Sequence, residues 1–171
     1  KYVIYGAFSS GIMLYGLSIL FGLTGTTNFF AMQEAISSLG PEANLALVLS
    51  TVFILVGFGY KISAVPFHFW TPDVYEGSPT AITAYLSVGP KAAGFALILR
   101  FFNQIFSEMP NGLSDPWISV NNLPWPQLIA ILSAATMTLG NLVAIQQSSV
   151  KRMLAYSSIA HAGYMTVSYT H

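Results

Sequence analysis

Long apolar runs separated by short polar breaks organise the chain. A helix needs about 20 mainly apolar residues to span a bilayer. Five stretches have about that length: residues 2–23, 45–70, 80–105, 128–145, and a last one from Met153 through 171. The first break, Thr24 to Asn28, leads into a polar excursion with Gln33, Glu34 and Glu42 that closes on Gly40 and Pro41, and this predicts an exposed loop. Pro66 lies inside the second run. A proline there cannot donate to the Ile62 carbonyl and clashes with it, so a broken helix is expected. Turn chemistry at Thr71-Pro72-Asp73 and at Gly77-Ser78-Pro79 separates this run from the third, where Pro90 repeats the helix-breaking device by freeing the carbonyl of Leu86. Residues 107–126 carry four prolines, adjacent asparagines and two tryptophans, which suits an interfacial loop with aromatic anchors. The expectation is an all-α fold: a polytopic transmembrane helix bundle with a discontinuous helix.

Composition supports lipid as the solvent. Only 7% of the residues are charged while 54% are hydrophobic, and mean hydropathy is +0.61. Soluble domains are about 25% charged, so these residues could not cover a water-facing surface. Net charge is zero and no basic run exceeds Lys151-Arg152, which removes the electrostatic basis for binding nucleic acid. Without cysteine, the chain builds no disulfide, iron–sulfur cluster or cysteine zinc site. It opens on Lys1 and stops within an apolar segment, so it is expected to be an internal fragment of a longer protein. Lys and Arg in short loops favour the cytoplasmic side. With helices alternating in direction, Lys1 and the Lys151-Arg152 turn fall on one side and the Glu34/Glu42 and Glu108/Asp115 loops on the other.

Within this apolar background the few ionisable residues carry the chemistry. Lys91 stands near the middle of the run 82–99, roughly 12 to 14 Å from either face at 1.5 Å per residue. A lysine stem snorkels only part of that distance, and an ammonium there costs at least about 2.5 kcal/mol. It must therefore face a wet or charged interior or spend time neutral. The bland alternative is a structural lysine tied to a carboxylate or to helix carbonyls. Lys61 follows sixteen mainly apolar residues and precedes Pro66 by five. Unwound backbone at membrane depth is tolerated where it is buried in protein or lines a water-filled cavity. The alternative for Lys61 is a lysine snorkelling to an interface. His68 lies seven residues after Lys61, and His161 is centred in the last apolar segment; imidazole titrates near physiological pH and suits a proton relay. Either histidine also fits a hydrogen-bonded core residue, and His171 carries no argument. No His-x-x-x-His metal pair, Gly-rich phosphate loop or Ser/His/Asp set is present, so the chemistry on offer is protonation rather than bond making.

The run from Lys61 to Pro79 (KISAVPFHFWTPDVYEGSP) resembles the signature of the antiporter-like subunits of respiratory complex I, the NADH:quinone oxidoreductase. Residues 86–95 (LSVGPKAAGF) and 151–164 (KRMLAYSSIAHAGY) resemble two further blocks of that family. With Lys1-Tyr2 and Gly11 to Gly16 the similarity covers essentially the whole chain, and within the family it is to subunit N, called subunit 2 in other lineages. The resemblance implies that Lys61 is the lysine of the discontinuous helix that pairs with a glutamate on a helix upstream of residue 1. It implies that Lys91 is the next lysine of a hydrophilic axis, with a further charged residue downstream of residue 171. It implies proton translocation driven by electron transfer from NADH to quinone in other subunits, where FMN and iron–sulfur clusters reside, and no redox centre here. Expected partners are the other membrane-arm subunits, the lipid bilayer, protons and water, in an energy-transducing membrane such as the bacterial inner membrane. Two competing readings are a subunit of an Mrp-type cation/proton antiporter and a non-transporting membrane scaffold.

Overall fold

A computed structural model describes residues 1–107 and 123–168. Among them are seven α-helices, one 3-10 turn and no strand. Helix α1, Tyr2–Thr24, ends on Gly25, whose left-handed backbone (φ 67°) lets its N–H close on the Phe21 carbonyl at 2.7 Å. The expected loop that follows contains a helix, α2, Phe29–Ser37. The Asn28 side chain accepts from the N–H groups of Phe30 and Ala31, so a residue that reads as a break is an N-cap. Met32 and Ile36 fix this short helix by burying one face.

A turn at Pro41–Ala43 leads into α3, Asn44–Ile62. The chain interrupts at 63–69 and resumes as α4, Trp70–Gly77. Helix α4 runs through Thr71-Pro72-Asp73, where a turn was expected, because Pro72 sits in the first helical turn and needs no intrahelical N–H partner there. Helix α5, Thr80–Ile105, passes Pro90 without interruption. Pro90 is therefore not a helix break: it withholds one hydrogen bond, and the bonds on either side carry the helix across it.

Helix α6, Trp125–Ile145, starts one residue before Pro126, again a tolerated first-turn position. Its Trp125 is buried and donates its indole N–H to the Phe106 carbonyl at 3.2 Å, so it anchors the protein core and not the interface. Residues 108–122, with Glu108, Asp115 and Trp117, lie outside the described part. Helix α7, Val150–Val167, closes the described chain; His171 lies beyond it.

Among the described residues four helical segments are long and apolar enough to cross a membrane: Tyr2–Thr24, Pro41–Ile62, Thr80–Ile105 and Trp125–Ile145. Helix α7 is not among them, since Lys151, Arg152, Ser157, Ser158 and His161 dilute its apolar character. Close backbone approach sets the packing, as in membrane bundles where small residues line helix seams. A Cβ on Gly16 of α1 would stand 2.9 Å from the Ser50 carbonyl of α3, and one on Gly140 of α6 would stand 2.8 Å from the Ala160 nitrogen of α7. Phe58, Phe101, Phe102, Phe106 and Trp125 fill the core at the end where α5 stops and α6 starts. Tyr60, Trp70, Tyr75 and Ala155 fill a second, smaller core where α3, α4 and α7 meet.

Candidate proton-relay site

The interruption after α3 is built by Ser63 and only then by Pro66. Ser63 is buried in the left-handed region (φ 64°), and two bonds close the helix end: the Ser63 N–H donates to the Tyr60 carbonyl at 3.2 Å and the Ala64 N–H to the Gly59 carbonyl at 2.8 Å. The helix has therefore ended at Ile62 before Pro66 is reached. Side chains then hold the turns of residues 63–69. Thr71 donates to the Ser63 hydroxyl at 2.8 Å, the Trp70 indole to the Tyr60 carbonyl at 3.1 Å, and the Val65 N–H to the Thr136 hydroxyl of α6 at 3.0 Å. Beside it lies a cavity of about 20 Å³, lined mainly by apolar groups with Ser133, Thr136 and Thr166 among them.

Lys61 is exposed on the last turn of α3, and its stem passes Gly94 of α5, where a Cβ would meet the Lys61 Cγ at 3.5 Å. Lys91 is one helical turn before Gly94, so the stem of Lys61 runs beside the α5 face that carries Lys91. Lys91 itself is 3% exposed. Its ammonium donates to the hydroxyl of Ser158 on α7 at 2.7 Å and to the carbonyl of the same residue at 3.0 Å. No carboxylate pairs with it among the described residues.

The two histidines are in different settings. His68, in the interruption, is 2% exposed, its ring packed on Phe69 and edge-on to Tyr156; its Nδ1 makes no hydrogen bond among the described residues. His161 is exposed on α7, with Nδ1 2.7 Å from the Ser157 carbonyl. Because a carbonyl only accepts, that contact places a hydrogen on Nδ1 and leaves Nε2 as the lone-pair nitrogen of the neutral ring. His161 and Ser158 both line an open groove of about 400 Å³ between α4, α5 and α7, whose other polar walls are Tyr75, Thr80, Thr83, Ser87 and Ser157. The fold thus gathers Lys61, Lys91 and His161 around the contacts of α5 with α3 and α7, and sets His68 in a separate, apolar spot.

A cluster of ion pairs marks the end of the bundle to which this groove belongs. Asp73 of α4 pairs with Lys1 and, at 2.8 Å, with Arg152; Arg152 also reaches Glu76 at 3.0 Å. The Lys1 ammonium, and after it the Arg152 guanidinium, hold the Asp73 carboxyl below its ordinary value, and Asp73 raises Lys1 in return. Glu76 and then Asp73 raise Arg152. The structure therefore puts Lys1, Lys151 and Arg152 at the same end, as the alternating directions of the helices require. Sequence reasoning passed over Asp73, Glu76 and Ser158. The first two carry a readable signal, since their spacing puts both on one face of a helix. Ser158 has none, because only the packing of α5 on α7 selects it.

The family described as NADH:quinone oxidoreductase/Mrp antiporter, TM, matches residues 1–171. The chain is 54% identical to NADH-quinone oxidoreductase subunit N 2 of Chloroherpeton thalassium, over 96% of this chain and 31% of that protein. It is 52% identical to the subunit N 2 of Sorangium cellulosum, over 99% and 33%. It therefore spans about a third of the length of these relatives. Among solved structures it superposes on a chain of respiratory complex I from Thermus thermophilus with bound aureothin, with a TM-score of 0.76, 38% identity, and coverage of 99% of this chain and 33% of that one. A chain of the Mrp complex from Dietzia superposes with a TM-score of 0.80 at 23% identity over 99% of this chain and 28% of that one, a likeness of fold alone. The apolar helices and this match make the protein an integral membrane protein, and the chain belongs to the NADH:quinone oxidoreductase/Mrp antiporter transmembrane family.

Proposed function

We propose that this chain is part of a proton-translocating membrane subunit of NADH:quinone oxidoreductase, with Lys61 and Lys91 as the groups that load and release protons. The observation that carries the reading is Lys91: an ammonium 3% exposed, held only by neutral oxygens among the described residues, on a helix shared with the contact of Lys61. A buried charge is normally paired, and one that is not is poised to change protonation. Like charges about 10 Å apart at an effective dielectric of about 20 repel by roughly 1.7 kcal/mol, a little over one pK unit. Lysines on touching helices thus favour one charge at a time, and a field change at Lys61 moves a proton at Lys91. His161, on the groove wall with Nε2 unbonded among the described residues, is suited to exchange that proton with water, whereas His68 is assigned a lesser part because its ring is buried against Phe69 and Tyr156.

Electron transfer from NADH through FMN and iron–sulfur clusters to quinone belongs, on this reading, to other subunits of a complex in an energy-transducing membrane, and the membrane-arm subunits are the partners. The names of the 47–54% identical relatives support this over the Mrp antiporter, which shares the family description and, among the solved structures, a likeness of fold at 23% identity. Lys61→Ala in the full-length subunit tests the proposal. The complex should assemble while proton uptake into proteoliposomes drops, because the change removes an exposed charge and little packing. Uptake at the normal rate and ratio would remove Lys61 from the mechanism, and loss of assembly alone would favour the scaffold.

A further inference from the structure

Ser158 joins the buried lysine to the open groove, since it bonds Lys91 and lines the groove wall. Hydroxyls at Thr51, Thr136, Thr138 and Thr166 all donate to the carbonyl four residues earlier, the ordinary sink for such groups in apolar helices. Ser158 makes no such bond among the described residues; its Oγ instead accepts from Lys91 at 2.7 Å. An ammonium has hydrogens and no lone pair, so it can only donate. The hydrogen of Ser158 must then point away from Lys91, which leaves it free to face the groove that Ser158 lines. The same groove carries Ser157 and His161 from α7 and Thr80, Thr83 and Ser87 from α5, and its volume of about 400 Å³ is room for several waters, each of which takes about 30 Å³ in the liquid.

We propose that Ser158 is a hydroxyl relay that passes protons between Lys91 and water in the α4–α5–α7 groove; the proposal rests on the proton-translocating reading above. In the outward step one N–H bond of the Lys91 ammonium breaks as an O–H bond forms at Ser158 Oγ. The original Ser158 O–H breaks in the same event, and its proton goes to a groove water, which becomes hydronium. Lys91 is left a neutral amine, Ser158 is unchanged, and no electron is transferred. In the reverse step the amine, which now has a lone pair, accepts from Ser158 while water reprotonates the serine. The Ser158 carbonyl cannot substitute, since it has no proton to give; it holds the lysine nitrogen within reach throughout.

The test uses the assembled complex carrying full-length subunit variants in proteoliposomes. Ser158→Ala should slow proton uptake by about tenfold, less than the roughly hundredfold or more of a lost proton-transfer group because a water can partly stand in for the hydroxyl. Ser158→Thr, which keeps a hydroxyl, should restore uptake, while Ser158→Cys, close in volume but a weak donor, should not; this pair decides the matter if the alanine variant fails to assemble. The solvent deuterium isotope effect on uptake should rise in Ser158→Ala, a change that a packing role would not produce. Thr83→Cys, in a complex otherwise free of reactive thiols, should react with a membrane-impermeant thiol reagent and slow uptake; no reaction from either side overturns the groove as the route. Wild-type uptake in both Ser158→Ala and Ser158→Cys, with uptake lost in Lys91→Met, overturns the relay and leaves the lysine mechanism standing. Wild-type uptake in Lys91→Met as well overturns the parent reading.

Discussion

Replacing Lys91 by methionine separates a transport role from a structural one, because the energetics of the site nearly cancel. The two bonds from the ammonium to Ser158 are charge-assisted and contribute roughly 1.5 to 3 kcal/mol each. Carrying the charge at mid-span costs at least about 2.5 to 3.5 kcal/mol. The lysine is thus worth no more than about 3.5 kcal/mol to the fold, and methionine recovers part of that, since it fills a similar volume with a flexible apolar chain. Ser158 is not stranded either: freed of the ammonium, its hydroxyl can turn to the carbonyl four residues back. Lys91→Met should therefore yield assembled complex in near-normal amount, with NADH oxidation no longer coupled to proton uptake through this subunit. The assay is dye-reported uptake in proteoliposomes, normalised to NADH turnover. An assembled variant that pumps at the wild-type ratio refutes the reasoning, and an unassembled one shows that the ammonium is a structural strut.

Two further changes probe the scaffold around the lysines. Thr136→Val keeps the side-chain shape but leaves the Val65 N–H without its acceptor, which should cost about 1 to 3 kcal/mol and lower the thermal midpoint in detergent, while Thr136→Ser should recover it. Asp73→Asn removes the anion held by Lys1 and Arg152. Because the carboxyl is depressed in the fold, its contribution is complete above the ordinary value of 3.8 and is lost as pH falls through the lower folded value. The variant should be the less stable at neutral pH, less so in high salt, and equal to wild type in strong acid; a constant difference across that range would assign the effect to packing.

What the sequence revealed and what it concealed divide along physical lines. The apolar runs predicted α1, α3, α5 and α6 because lipid-facing helices carry their signal in composition. A broken helix was readable near Pro66, but the actual stop at Ile62 was not, since it depends on Ser63 accepting a left-handed backbone that glycine usually supplies. Pro90 misled for the converse reason: one missing bond in a 26-residue helix does not break it. Helix α2 was hidden because its Asn28 cap looks like turn chemistry. In the site, Lys61 and Lys91 stood out as charges in apolar runs, and His161 as an imidazole among them. Ser158 is one serine among many until the fold sets it 2.7 Å from Lys91.

The central claim is that Lys91 must gain and lose a proton and not merely carry a charge. Arginine keeps the positive charge and does not deprotonate in proteins, so Lys91→Arg holds the electrostatics while removing the chemistry. The decisive measurement is the number of protons translocated per NADH oxidised by the assembled Lys91→Arg complex. The account predicts a ratio as low as that of Lys91→Met; a wild-type ratio with arginine in place would contradict it.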